Sequence, residues 1–185
     1  MPRLGDTRAS LLLGNRFLCG GWLERLDYFR GSRDGSAFLG VWSKTGTLDY
    51  VMKGLVELPP APIGIHSVQF ERPIRVEQGD FLGIHYTSGE NVPSGVIAYA
   101  IPEDNVIRPE ELYQVLVVNV HEADITPYRT LALGDEELEY EQRAYALQGF
   151  LRSDEPRGGN KRSQVSSHVV HISAYSSARM RCLLR

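Results

Sequence analysis

Between residues 36 and 86 the apolar positions fall into segments of strand length, cut by Lys44-Thr45-Gly46, Pro59-Pro60-Ala61-Pro62 and Gly79-Asp80. Short runs rich in Val, Ile, Phe, Tyr and Trp, separated by Gly, Pro and Asp, are the pattern of antiparallel strands joined by turns. The sharpest unit spans residues 73–86. There Ile74 and Val76 alternate with Arg75 and Glu77, the chain turns at Gly79-Asp80, and Leu82, Ile84 and Tyr86 resume the alternation. A period of two puts the apolar set on one face, so both arms of this hairpin should enter one core. Residues 37–42 hold no charged position, which predicts a strand covered on both faces.

The same reading extends along the chain. Residues 1–10 are polar and expected to fray. Residues 11–22 form a first strand region in which Gly20-Gly21 makes a bulge or a bend. Leu26 and Tyr28 then share one face, with Asp27 and Phe29 on the other. Residues 50–58 alternate less cleanly, and Lys53-Gly54 marks a bulge or an edge. The proline connector at 59–62 cannot donate ladder hydrogen bonds and must be a loop. His66, Val68 and Phe70 face one way in the next strand. Residues 101–112 are a surface excursion, and 113–121 (YQVLVVNVH) a strong strand. Residues 135–148 have the composition of an amphipathic helix. An acidic loop followed by a closing strand at 143–152 is the alternative adopted here. The expected fold is therefore all-β, a two-sheet antiparallel β-sandwich of jelly-roll type with about eight to ten strands. Its domain spans residues 1–155, followed by a basic, Ser-rich and disordered tail at 156–185, ordered at most around 168–175.

Charge sharpens that boundary. The formal net charge is −3, but residues 1–155 carry 14 basic against 23 acidic side chains, and the six cations after Pro156 face no acid. An acidic body argues against a nucleic-acid partner, which requires a basic face. Hydrophobic residues at 42% and charged residues at 23% are those of an ordinary globular domain. Cys19 and Cys182 are the only cysteines; one lies in an apolar strand-like run and the other in the tail, so no bridge between them is expected, and two are too few for a disulfide framework or metal spacing. No run of apolar residues is long enough for a membrane span. Leu11-Leu12-Leu13 is too short for a signal peptide, which implies a cytoplasmic location if the chain is complete.

The order of features resembles a β-sandwich module that recurs, often in tandem, in large extracellular proteins of invertebrate animals. The likeness rests on Trp22 with Leu26-Asp27-Tyr28-Phe29, Phe38-Leu39-Gly40-Val41-Trp42, Tyr50 and Gly64-Ile65-His66-Ser67-Val68. It continues through Val76-Glu77-Gln78-Gly79-Asp80-Phe81-Leu82-Gly83 to Arg143-Ala144-Tyr145-Ala146-Leu147-Gln148 and covers roughly residues 14–152. The resemblance implies a secreted adhesion, matrix or carbohydrate-binding-like module. It departs from that context in the missing signal peptide and the basic tail.

No motif identifies an enzyme. His168 and His171 have an i,i+3 spacing without the Glu of a metalloprotease helix, and no Gly-x-Ser-x-Gly elbow or phosphate loop occurs. Asp80 suits a tight turn, and is the one weak metal candidate, for a structural calcium ion. No other cofactor is implied. Aromatic rings offer a flat apolar surface for a sugar face. Trp22, Tyr28 and Tyr99, with His85 near the Gly-Asp hairpin, are the candidate ligand-binding residues. The expectation is a non-catalytic extracellular module that recognises a glycan or protein partner. The alternatives are a self-associating structural subunit forming homo-oligomers and a hydrolase on the same scaffold.

Overall fold

The structure, a computed structural model, describes residues 6–33, 35–86, 97–100, 114–121, 125–133, 138–142, 144–152 and 167–170. Among these the regular elements are all strands. They are β1 (Asp6–Arg16), β2 (Gly21–Arg30), β3 (Ala37–Lys44), β4 (Asp49–Leu58), β5 (Gly64–Val76), β6 (Phe81–Tyr86) and β7 (Tyr99–Ala100). There follow β8 (Gln114–His121), β9 (Thr130–Ala132), β10 (Glu139–Gln142), β11 (Ala144–Tyr145), β12 (Leu147–Arg152) and β13 (Ser167–Val170). One antiparallel sheet has the order β10-β8-β1-β6-β3-β4-β9 and a second the order β13-β12-β2-β5, while β7 and β11 form a short ribbon.

Alternation decides which side chains meet. From the seven-stranded sheet, Leu12, Leu39, Val41, Leu82, Ile84 and Val117 point at the four-stranded one. Leu23, Leu26, Val76, Leu147 and Leu151 answer them from the other side, so the two sheets share one core. The hairpin residues Val76, Leu82 and Ile84 all lie in it, with Ile74 packed alongside.

The opposite face of the seven-stranded sheet is apolar as well, which explains why β3 carries no charge before Lys44. Leu11, Trp42, Tyr50, Met52, Phe81, Leu116 and Val118 form a second core there, completed by Ile125, Leu131 and Leu133. A flat sheet would leave these residues in water. This one curls until its ends approach each other. The Tyr50 phenol on β4 is pushed above its ordinary pKa first by burial and next by the charge of Tyr140 on β10. Four strands separate β10 and β4 in the sheet order.

The turn between β5 and β6 ties the two sheets together. Gly79 has φ +95°, and Asp80 donates its N–H to the Glu77 carbonyl at 3.1 Å. The Asp80 carbonyl accepts the Phe17 N–H at 2.7 Å, and Gly79 donates to the Phe17 carbonyl at 2.8 Å. The buried Asp80 carboxylate is filled by protein donors: the Ser43 hydroxyl, the Glu77 N–H at 2.7 Å and the Lys53 ammonium at 2.7 Å. Lys53 also reaches Glu77 at 2.9 Å. Burial of Lys53 opposes its charge, yet the hydrogen bonds and fields of Asp80 and Glu77 outweigh it and raise its pKa. The hydrogen bond from Lys53 in turn lowers the pKa of Glu77.

Several expectations are met and several corrected. Residues 139–142, 144–145 and 147–152 are strands and not a helix, and the end of the expected acidic loop is strand β10 instead. The β3–β4 ladder shifts register between Val41↔Gly54 and Trp42↔Met52, so Lys53 is the extra residue of a bulge. Residues 6–10 do not fray, because β1 pairs with β8 from Asp6 and with β6 from Arg8. Residues 64–76 form one strand where two were expected. The acidic and proline-containing stretch between Gln69 and Ile74 bulges out of the ladder without ending it. Inside the expected tail, residues Ser167–Val170 pair with β12 at the edge of the four-stranded sheet. The excursion at 101–112 lies outside the described residues.

Candidate binding face

The outward face of the four-stranded sheet carries Trp22, one of the aromatic residues that the sequence pointed to. Leu23 and Leu26 both face the core although they are three residues apart, which period-two alternation forbids. The conflict is resolved by a bulge. Register with β12 jumps from Leu151↔Leu23 to Phe150↔Arg25, leaving Glu24 as an extra residue, and at the same level residues 70–73 of β5 stand opposite Glu24 alone. Below the bulge the outward row is Arg152–Trp22–Arg75. Above it come Phe150–Arg25–Gln69, then Gln148–Asp27–Ser67, then Phe29 beside Ile65.

This face is held by cross-strand contacts. The Arg75 guanidinium lies 5.5 Å from the centre of the Trp22 ring, and that of Arg25 lies 3.6 Å from the centre of Phe150. Such cation–π contacts order both partners. Arg152 pairs with Glu24 at 2.8 Å and Arg25 with Asp27 at 3.3 Å, while the Ser67 hydroxyl donates to Asp27. Gly21 lets the strands close at this point, since a Cβ there would sit 2.7 Å from the Arg152 carbonyl oxygen. Trp22 is thus left 36% exposed between the guanidinium groups of Arg152 and Arg75, with the Glu24 carboxylate held by Arg152.

The four candidate residues are not brought together. Trp22 is on the outer face. Tyr28 is 5% exposed on the inner face, because it shares alternation with Leu26, and its ring meets His66. His85 is buried on the other sheet, stacked on Phe38 with ring centres 4.8 Å apart, and burial lowers its pKa to about 4. The backbone of Tyr99 pairs with Tyr145 in the ribbon, and its side chain lies outside the described residues. Asp80 already has Lys53 as its counter-charge, and the described residues contain no group of three metal-ligating side chains. Sequence reasoning did not single out Arg25, Phe150, Arg75 or Arg152. The Leu23–Leu26 spacing was the available signal for the bulge, but cross-strand neighbours need the register.

Cys19 is disulfide-bonded, and the chain's other cysteine, Cys182, lies outside the described residues. No family model, curated protein or solved structure matches the chain.

Proposed function

We propose that this chain is a non-catalytic extracellular binding module whose outer sheet face recognises a glycan. The observation that carries the reading is the setting of Trp22. An indole at a strand start, partly exposed and braced by Arg75, can stack on the apolar face of a sugar ring. Arg152 and Arg75 flank it across the sheet, and Glu24, paired with Arg152, adds an acceptor for ring hydroxyls. The charges on this face are largely paired within it, so it suits a neutral sugar better than a polyanion. A jelly-roll sandwich is the scaffold in this reading, supported by the way the chain crosses between sheets from β1 to β2 to β3 and from β4 to β5 to β6. The disulfide at Cys19 fits an oxidising compartment.

The test is retention on immobilised neutral polysaccharides and on a broad glycan array. Trp22→Ala should abolish binding and leave the melting temperature near that of the parent. Silence across the array defeats the reading, as does binding that survives the loss of the indole.

A further inference from the structure

The four-stranded sheet ends at β5, and the direction of its unused backbone groups can be derived. Phe29 donates its N–H to the Ala146 carbonyl at 3.0 Å and accepts the Ala98 N–H at 3.0 Å, so its backbone faces away from β5. In an antiparallel pair, facing residues alternate between bonded and non-bonded sites. Since Phe29 lies opposite Ile65, Asp27 opposite Ser67 and Arg25 opposite Gln69, the N–H and C=O groups of Ile65, Ser67 and Gln69 point to the open edge. No strand lies beyond β5 in the sheet order among the described residues. Ile65 is also 79% exposed, beside the exposed Phe29.

Edges of this kind are usually blunted, by proline or by a bulge. Here the blunting covers only one half. Pro73 and the bulge after Gln69 interrupt the edge near its end, while residues 65–69 remain a regular strand. Where that open stretch ends, a groove of about 400 Å³ begins between β4 and β5. Val56, Phe70 and Ile74 supply apolar lining, and Glu57 and Glu71 stand on it with Arg72. An edge with no neighbour among the described residues, leading into a lined groove, is what strand addition uses: the backbone bonds supply affinity and the groove selects side chains.

We infer that the Ile65–Gln69 edge accepts an extended peptide of a partner protein as an added antiparallel strand, with an apolar side chain entering the groove beside a basic one. The basic preference follows from the two glutamates against one arginine at the groove. This site uses the backbone edge of β5 and the groove, and it does not rest on the sugar-binding reading.

The probe is a fluorescein-labelled octapeptide of alternating Lys and Val, followed by fluorescence anisotropy with the full chain. Binding is expected. It should weaken by about tenfold or more when every backbone amide of the peptide is N-methylated, a change that removes the donors of both its edges and leaves the protein untouched. Ser67→Pro should have the same effect, because its N–H faces the open edge and proline is tolerated there. Glu71→Lys should shift preference from the Lys-Val peptide to its Glu-Val counterpart. Absent binding, or binding indifferent to N-methylation, overturns the inference. A homodimer in sedimentation that Ser67→Pro dissociates would assign the edge to a second copy, and overturns it too.

Discussion

Trp42 and Gly83 share one space: a Cβ built on Gly83 would lie 2.6 Å from the Trp42 indole nitrogen. Gly83 pairs with Gly40 across β3 and β6, and a Cβ on Gly40 would lie 2.8 Å from the same nitrogen. The indole therefore lies against a pair of bare backbones, and the second core is built around it. Two glycines inside strands, which weaken a ladder taken alone, are here the condition for a buried tryptophan.

Gly83→Ala should accordingly destabilise the protein by about 1–3 kcal/mol, since a rigid buried ring cannot retreat. Thermal melts of Gly83→Ala and Gly20→Ala make the comparison. At Gly20 the nearest atom to an added Cβ is 3.4 Å away, so that variant should melt close to the parent. Equal melting temperatures for the two variants would contradict this packing.

His85 makes stability depend on pH. Its pKa is about 4 in the fold against 6.5 in an unfolded chain, so the unfolded state takes up a proton first. The stability this contributes is present above pH 6.5 and is lost as pH falls from 6.5 towards 4, a total of about 3 kcal/mol. Chemical denaturation across that range should show the loss in the parent. His85→Phe, which keeps a ring against Phe38, should remove most of the slope.

Asp80 should be the most sensitive polar position among the described residues. Asp80→Ala strands Lys53 with only the exposed Glu77 as partner and empties the contacts to Ser43 and to the Glu77 N–H. A loss of about 3 kcal/mol is expected in urea denaturation. The raised pKa of Lys53 gives the alkaline counterpart. Its contribution is full below the unfolded value of 10.5 and fades as pH rises through the folded value. Lys53→Met should flatten that limb.

Deleting residues 156–185 removes β13 from the edge of β12. With parent and truncation both in reducing buffer, which takes the Cys19 disulfide out of the comparison, the melting temperature should fall by a few degrees, on the order of 1 kcal/mol for a short edge strand in a domain of this size. An unchanged melting temperature would return these residues to the role of a dispensable tail.

What the sequence determined by itself was local. Uncharged or apolar runs placed β3 and β8, and period-two alternation placed β6 and the two halves of β5, chose the inward set Val76, Leu82 and Ile84, and put the turn at Gly79-Asp80. Each of these follows from a few neighbouring residues and the pleat of a strand. The tertiary structure decided everything that depends on which strands lie side by side. Trp42 ends a run whose lack of charge predicts burial, but the glycines that make room for it, Gly40 and Gly83, sit on neighbouring strands. The apolar outer face of the seven-stranded sheet became a second core only because the sheet curls until Tyr140 nears Tyr50. Tyr28 and Trp22, equal as aromatic residues in the sequence, parted to opposite faces across the bulge at Glu24. Arg75, Arg25 and Phe150 joined the candidate face through register. Register is set by contacts between residues tens of positions apart, and no local pattern carries it.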